Sequence, residues 1–221
     1  SVIIPFTVTS IGNEAFSGCI NLAGVTFEAG SNLESIGDYA FEHCESLASF
    51  VIPDSVRTIG TGAFYGCESL SDITISDHSK LESVMEFAFG NSAWLENHPG
   101  LAVLCDIAIA FGSVYARNGN VTEINAFTLA GVTKIAPFAF FGVLTLTEVA
   151  IPDTVKEIGE SAFEGCPSLE KIYILSENAE EVGILLTQLD GQTDCTVYVA
   201  ESVFEALSEL IETLSFDVAV S

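Results

Sequence analysis

The sequence predicts an α/β repeat solenoid: stacked coils, rich in short β-strands, with a parallel strand ladder, short helical turns and a helical cap at the C-terminal end. The main observation is a recurring phrase, Ile-Gly-x-x-Ala-Phe-x-Gly-Cys, whose successive copies mostly begin 23 or 25 residues apart. One unit of that size cannot bury its own apolar side and must pack against its neighbours. The copies begin at Ile11, Ile36, Ile59, Ile135 and Ile158, with a degraded copy at Val84.

Composition sets bounds on the class of protein. Of the 221 residues, 49% are apolar, which supports a continuous core. The formal net charge of −25 repels phosphate backbones and anionic headgroups, so nucleic acid and acidic membrane surfaces are excluded as favoured partners. No apolar run approaches the ~20 residues that span a bilayer. The longest candidate, 101–111, contains Asp106.

Each repeat contains one strand with alternating side chains. In the frame Leu70-x-x-Ile73-x-Ile75 the isoleucines face inward, while Asp72 and Thr74 face outward. Stacking of the repeats would align these strands into one parallel sheet. The same frame starts at Leu22, Leu47, Leu146 and Leu169.

The rest of the repeat predicts a turn, a second short strand and a helical turn. Proline ends the first strand in three copies, because it fixes φ and lacks an N–H group. A second strand, as at 56–60, lies on the opposite side of the coil. The Ala-Phe pair that follows supplies the helical turn, and its phenylalanines should form an aromatic ladder along the core. These are Phe16, Phe41, Phe64, Phe89, Phe140 and Phe163.

Two positions in the phrase have a simple structural interpretation. The second residue after each phenylalanine is Gly, Asn or, at His43, His, and these types tolerate a positive φ; the position therefore closes the turn in the left-handed region. Cysteine occupies one further position, where Val143 substitutes in a weaker copy, which indicates reduced, buried thiols rather than disulfides or zinc ligands. These cysteines are Cys19, Cys44, Cys67 and Cys166.

The combined phrase, Leu-x-x-Ile-x-Ile-Pro-x-x-Val-x-x-Ile-Gly-x-x-Ala-Phe-x-x-Cys, resembles the BspA-like leucine-rich-repeat family of surface-associated proteins. Residues 46–75 and 146–174 match it nearly throughout. The resemblance implies a leucine-rich-repeat solenoid over 1–175, with a degenerate interruption at about 90–134. Strands near 101–104 and 107–111 are expected to join the stack there. The segments 91–100 and 112–120 are candidate functional loops.

The segment 176–221 is predicted to cap the array, because the last coil of a solenoid needs a lid for solubility. We expect a helix over 180–189 and a strand over 196–199. Ser202 and Glu205 form a capping box for a second helix that ends at Leu214. Its apolar stripe comprises Val203, Phe204, Leu207, Leu210, Ile211 and Leu214.

The sequence contains no pattern that predicts catalysis. The three histidines, His43, His78 and His98, lie in no metal-ligand spacing, and neither a nucleophile motif nor a phosphate-binding loop is present. No catalytic residue, cofactor or metal is therefore predicted. The tripeptide 120–122 fits the glycosylation acceptor pattern and is given no role.

The leading functional hypothesis is a secreted or cell-surface module that binds protein, since stacked strands form a broad rigid surface. The family resemblance implies host, matrix or cell-surface proteins as partners. Tyr173 is the most interface-like residue of the strand face, because aromatic side chains dominate binding hot spots. The predicted binding face comprises Thr26, Glu28, Ser49, Asp72, Thr74, Glu148, Lys171 and Tyr173.

Two alternatives remain open at this stage. The first is a structural spacer within a longer surface protein, which has no ligand of its own. It is favoured by a beginning that reads as the middle of a repeat, because Pro5 precedes Ile11 as Pro53 precedes Ile59. The second, an enzyme, would require a pocket with convergent polar groups.

Overall fold

The computed structural model describes residues 1–76, 78–96, 101–104, 107–111, 123–124, 129, 131–144 and 146–221. For residues 96, 101–104, 107–111 and 123–124 it describes the backbone alone. The chain divides into two compact units, unit 1 (Ser1–Cys105) and unit 2 (Asp106–Ser221).

Unit 1 contains the two strands per coil that the sequence predicts. Its strands are β1 Val2–Ile4, β2 Ser10–Ile11, β3 Val25–Phe27, β4 Ser35–Ile36, β5 Ser49–Val51, β6 Thr58–Ile59, β7 Asp72–Thr74, β8 Ser83–Val84 and β9 Leu101–Leu104, with a short helix α1 at Ala93–Glu96. The even-numbered strands form one parallel sheet in the order β2-β4-β6-β8. Each pairs residues that occupy the same place in the phrase, for example Ile36 with Ile59.

The odd-numbered strands differ from the prediction of one continuous sheet. Strand β1 pairs with β3, and β5 with β7, while β3 and β5, both fully described, do not pair. Between the first two coils, the Glu28 N–H donates to the Ile4 carbonyl at 3.1 Å. The residue at the place of Glu28 in the next coil is Pro53, which has no N–H to donate. Pro53 therefore removes one hydrogen bond from the ladder between these two coils.

The Ala-Phe segment forms tight turns rather than helix, which corrects the prediction of helical turns. Each turn has two left-handed residues. The second follows the phenylalanine by two residues, as predicted, at Gly18, His43, Gly66, Asn91, Gly142 and Gly165 (φ between 53° and 72°). The first precedes it by two, at Glu14, Tyr39, Gly62, Phe87, Phe138 and Ser161 (φ between 52° and 59°). A right-handed helix cannot contain such residues.

Hydrogen bonds between coils hold these turns in place. The Phe16 N–H donates to the Ala40 carbonyl at 2.7 Å, and Phe41 repeats the bond to Ala63 at 2.8 Å. The turns thus form a third backbone ladder beside the two strand ladders. Because the coils approach closely here, a Cβ on Gly60 would lie only 2.7 Å from the backbone carbon of Gly37.

The predicted phenylalanine ladder is confirmed within each unit. In unit 1 the stacked ring centroids are 5.1 Å apart for Phe16 and Phe41, 5.2 Å for Phe41 and Phe64, and 5.2 Å for Phe64 and Phe89. In unit 2, Phe140 and Phe163 stack at 4.9 Å. The rings lie nearly parallel, one per coil, and form the centre of the core.

The cysteine position is also explained by contacts between coils. The thiol of Cys44 donates to the Phe16 carbonyl at 3.2 Å, and that of Cys67 donates to the Phe41 carbonyl at 3.1 Å. Both are buried free thiols, as predicted, while Cys19 in the first coil is exposed. Burial raises the pKa of Cys44 to about 11 and that of Cys67 to about 12. Cys195, outside the phrase, is buried too, and Cys105 lies outside the described residues.

Unit 2 continues the pattern with longer strands. Its elements are β10 Ile107–Phe111, β11 Glu123–Ile124, β12 Lys134–Ile135, β13 Glu148–Ile151, β14 Glu157–Ile158, β15 Lys171–Ile174, α2 Ala179–Leu189, β16 Thr196–Val199, α3 Glu201–Ala206, α4 Ser208–Ile211 and β17 Val218–Val220. Strands β10, β12 and β14 pair in parallel, so the predicted strand over 107–111 joins the stack. The other ladder runs in the order β11-β13-β15-β16-β17, all parallel.

The C-terminal segment therefore adds two strands, β16 and β17, to the sheet of the repeats. The helix predicted over 180–189 is α2, and the predicted strand 196–199 is β16. The capping-box prediction is wrong. Helix α3 begins after Ala200 without a side-chain cap, and the conformation of Leu207 (φ −110°, ψ 16°) separates α3 from α4. Of the predicted stripe, only Val203 is buried.

Two glutamine side chains close the backbone ladders of the last repeat. The Ile158 N–H donates to Gln188 Oε1 at 2.7 Å, and the Phe163 N–H donates to Gln192 Oε1 at 3.3 Å. Gln192 Nε2 donates in return to the Gly159 carbonyl at 3.1 Å. These amides occupy the place that the backbone of a further coil would take, and they satisfy groups that would otherwise lose their partners.

Candidate protein-binding face

The predicted binding residues lie on the strand face of their respective units. In unit 1 all five are exposed, namely Thr26, Glu28, Ser49, Asp72 and Thr74. In unit 2 the three remaining residues, Glu148, Lys171 and Tyr173, are partly exposed. Ser49 is in register with Asp72, and Glu148 is in register with Lys171. The structure thus brings the predicted residues together as two separate groups, one in each unit.

In unit 1, two of the predicted residues have structural partners. The Thr26 hydroxyl donates to the Val2 carbonyl at 3.4 Å, and Glu28 Oε2 accepts from the Phe6 N–H at 3.0 Å. Both also line a groove of about 480 Å³ at the interruption between β3 and β5, together with Val51 and Asp54. Val51 is 55% exposed on this face and was not predicted.

In unit 2, the strand face has a pair of stacked tyrosines at its centre. Tyr173 on β15 is in register with Tyr198 on β16, and their ring centroids are 4.9 Å apart with an interplanar angle of 22°. Alanine flanks the pair on both sides, because Ala150 on β13 pairs with Tyr173 and Ala219 on β17 pairs with Tyr198. In the described part of the chain, neither phenolic hydroxyl has a hydrogen-bond partner.

Sequence reasoning identified Tyr173 but missed Tyr198. The strand 196–199 was predicted from its residues, yet the phrase that marks a repeat is absent around it, so nothing in the sequence placed it next to β15. A usable signal was spacing: Tyr198 follows Tyr173 by 25 residues, the interval that separates Ile11 from Ile36.

Three of the five Lys and Arg residues in the described ranges form ion pairs with acidic residues of the next coil. Arg57 pairs with Glu82, Lys134 with Glu157 at 3.3 Å, and Lys156 with Glu181 at 2.7 Å. The Lys156 ammonium holds the pKa of Glu181 below its ordinary value, chiefly through their hydrogen bond. Such exposed pairs contribute little to stability, because solvent screens them.

Lys171 and the surrounding carboxylates differ from these pairs. Among the described residues Lys171 forms no ion pair, although Glu148 is its neighbour in the register. Glu148 and Asp217 likewise have no side-chain partner there. The strand face of unit 2 therefore presents charged groups of both signs beside its tyrosines, without a direct ion pair between Lys171 and Glu148.

A metal-binding cluster or a membrane-spanning helix would indicate another activity. Within the described residues, no group of three or more His, Cys, Asp or Glu side chains could hold a metal ion, and no helix is both long and apolar enough to cross a membrane. His43 occupies its predicted turn position and contacts the Tyr65 ring edge-on at 6.0 Å. His98, Asn120, residues 97–100 of the first candidate functional loop and all of the second (112–120) lie outside the described residues.

Stacked coils with two parallel strands and an Ala-Phe turn each define a leucine-rich-repeat solenoid. The BspA type leucine rich repeat region matches the chain in six copies, over residues 1–100 and 113–184, and the chain belongs to this family. The family is typically non-enzymatic. No curated protein sequence matches the chain.

Several solved structures are similar to the chain. The pneumococcal vaccine antigen PcpA is 20% identical over 99% of this chain and 78% of its own, with a TM-score of 0.41. A leucine-rich repeat protein from Bacteroides ovatus is 22% identical over 97% of this chain and 55% of its own, with a TM-score of 0.43. A leucine rich cell surface protein from Faecalibacterium prausnitzii is 21% identical over 100% of this chain and 78% of its own, with a TM-score of 0.35.

Proposed function

We propose that the chain is a non-enzymatic, cell-surface or secreted repeat protein that binds protein partners through its strand face. The observation that carries this proposal is the Tyr173–Tyr198 pair, two partly exposed aromatic rings with unpartnered hydroxyls on a rigid parallel sheet. Tyrosine is enriched at binding hot spots, because it offers a large contact area together with a polar tip. A surface location is consistent with the cell-surface protein among the similar structures.

Rigidity also supports a binding role. Within each unit, backbone ladders fix each coil to the next, with the strand-face ladder interrupted only between β3 and β5 among the described pairs, so the strand face is largely ordered before a partner arrives. Binding then costs little conformational entropy in the protein, which leaves more of the contact energy for affinity. With a net charge of −25, a basic partner would also associate faster at low salt.

The test is surface plasmon resonance with the immobilised chain and purified collagen, laminin and fibronectin at several salt concentrations. A matrix partner should lose affinity when the strand face is changed, by Ser49→Arg with Thr74→Arg in unit 1 or by Tyr173→Ser in unit 2. The control is Glu160→Arg, because Glu160 is exposed in the turn that follows β14 and does not belong to the strand face. If every face variant binds a matrix protein as well as the control does, or no matrix protein binds, the proposal fails and the spacer alternative is favoured.

A further inference from the structure

We infer that the strand face of unit 2 binds an extended basic segment of a partner through two arginine slots, one on each side of the tyrosine pair. The inference rests on the proposed function and names the chemistry of the partner. It depends on four strands in register, β13, β15, β16 and β17, which present Ala150, Tyr173, Tyr198 and Ala219 in a row.

The two tyrosine rings stand upright on the sheet. Their centroid separation of 4.9 Å matches the roughly 4.8 Å between neighbouring strands, so the rings stack along the ladder and stand on the sheet. Each tyrosine covers one face of the other. The second face of Tyr173 therefore turns toward Ala150, and that of Tyr198 turns toward Ala219. An alanine leaves space above itself, which makes a slot with an aromatic wall.

A carboxylate lies beside each slot. Glu148 precedes Ala150 by two residues, and Asp217 precedes Ala219 by two residues, so both carboxylates lie on the same face as their alanines. The Val197 N–H donates to the Asp217 carbonyl at 2.8 Å, which fixes that residue beside β16. Each slot thus combines an aromatic face, a small floor and an unpartnered carboxylate.

Arginine fits this combination best among the side chains of a protein partner. Its guanidinium is planar, stacks on aromatic faces and pairs with carboxylates. The stacked rings stand edge-outward, so a planar group inserted beside them gains more contact than one laid across them. The acidic character of the chain favours the same cationic partner.

The spacing of the slots specifies the partner further. Ala150 and Ala219 are three strand intervals apart, about 14 Å. An extended peptide rises about 3.3 Å per residue, so its residues i and i+4 are about 13 Å apart and point to the same side. The geometry therefore selects arginines at i and i+4 of an extended segment that crosses the strands.

The experiment titrates the full chain into a fluorescently labelled peptide Arg-Ser-Thr-Ser-Arg and follows the anisotropy. Moving the second arginine to i+3 points it to the opposite side and should weaken binding about fivefold or more. Tyr173→Ala, Glu148→Gln and Ala150→Leu, which fills the slot, should each weaken it by a similar factor, whereas Tyr173→Phe keeps the ring and should retain binding. Removal of the nearby positive charge by Lys171→Gln should tighten binding about twofold.

Three results would overturn the inference. The first is equal binding of the i+4 and i+3 peptides. The second is that Glu148→Gln and Glu160→Gln weaken peptide binding equally. Glu160→Gln removes the same charge at a position outside the strand face, so an equal effect would indicate only diffuse electrostatic attraction. The third is the absence of peptide binding by the wild-type chain. If face variants still reduce binding to a matrix protein in that case, the proposed function stands and the arginine slots do not.

Discussion

Replacement of Phe64 by alanine tests whether the phenylalanine ladder holds unit 1 together. Phe64 is 0% exposed and lies 5.2 Å from both Phe41 and Phe89, with Phe50 edge-on at 4.7 Å. Truncation of a buried phenylalanine to alanine lowers the free energy of unfolding by about 3–5 kcal/mol. Within that total, each lost aromatic pair accounts for about 0.5–1.5 kcal/mol in addition to the loss of buried apolar area. With three pairs lost, we expect a decrease of about 4–5 kcal/mol in the free energy of unfolding.

The assay is urea unfolding followed by tryptophan fluorescence. Trp94 is the only tryptophan of the chain, is 6% exposed and lies 5.2 Å from the Phe89 ring, so it reports on unit 1. With a denaturant slope of about 2 kcal/mol/M, the midpoint should fall by about 2 M. The slope itself should not change, because the truncation leaves the area exposed on unfolding nearly the same.

Two matched variants separate stacking from simple loss of volume. Phe64→Leu keeps most of the apolar volume and should cost about 1–2 kcal/mol. Phe16→Ala removes a partly exposed ring with one stacking partner, Phe41, and should also cost about 1–2 kcal/mol. If Phe64→Ala costs no more than Phe16→Ala, the reasoning is refuted.

Three further predictions concern the turns, the end of the ladders and the thiols. Gly66→Ala should lower the free energy of unfolding by about 2 kcal/mol or more, because φ is 71° there; an unchanged melting temperature would contradict this. Gln192→Leu should cost about 1–3 kcal/mol in thermal unfolding, since the buried Phe163 N–H loses its acceptor; a neutral effect would exclude the capping role. With a thiol reagent at pH 8, Cys19 should react at once and Cys67 only on unfolding. Burial raises the pKa of Cys67 to about 12, so the thiol of the unfolded chain ionises at a lower pH than that of the folded chain. The free energy of unfolding should therefore be constant below about pH 9 and decrease between about pH 9 and pH 12. A free energy of unfolding that does not change with pH over this range would refute the reasoning.

The turn positions show what the sequence could predict and what it could not. The second left-handed position was predictable, because Gly, Asn and His alternate there and share a tolerance of positive φ. The first left-handed position is occupied by residues as different as Glu14, Tyr39 and Phe87. Hydrogen bonds between coils, such as that from the Tyr39 N–H to the Thr61 carbonyl at 2.8 Å, hold this conformation. Such bonds depend on the neighbouring coil and leave no mark in the local sequence.

The C-terminal segment shows a similar division. The helix over 180–189 was predicted and is confirmed as α2, because helix formation depends largely on local residues. The sequence did not indicate that β16 and β17 extend the sheet of the repeats, since pairing partners are set by the whole stack. For the same reason Tyr173 could be predicted as an outward residue, whereas its stacking on Tyr198 could not.

The amide groups of Gln188 and Gln192 have a consequence for association between molecules. Exposed edges of parallel strands invite another chain to add itself, which leads to end-to-end polymers. Because these side chains already occupy the donors at Ile158 and Phe163, a second molecule has no vacant bonding positions there. Growth of a fibre from this edge is thereby blocked by two uncharged residues, without recourse to the charge repulsion that surface lysines would supply.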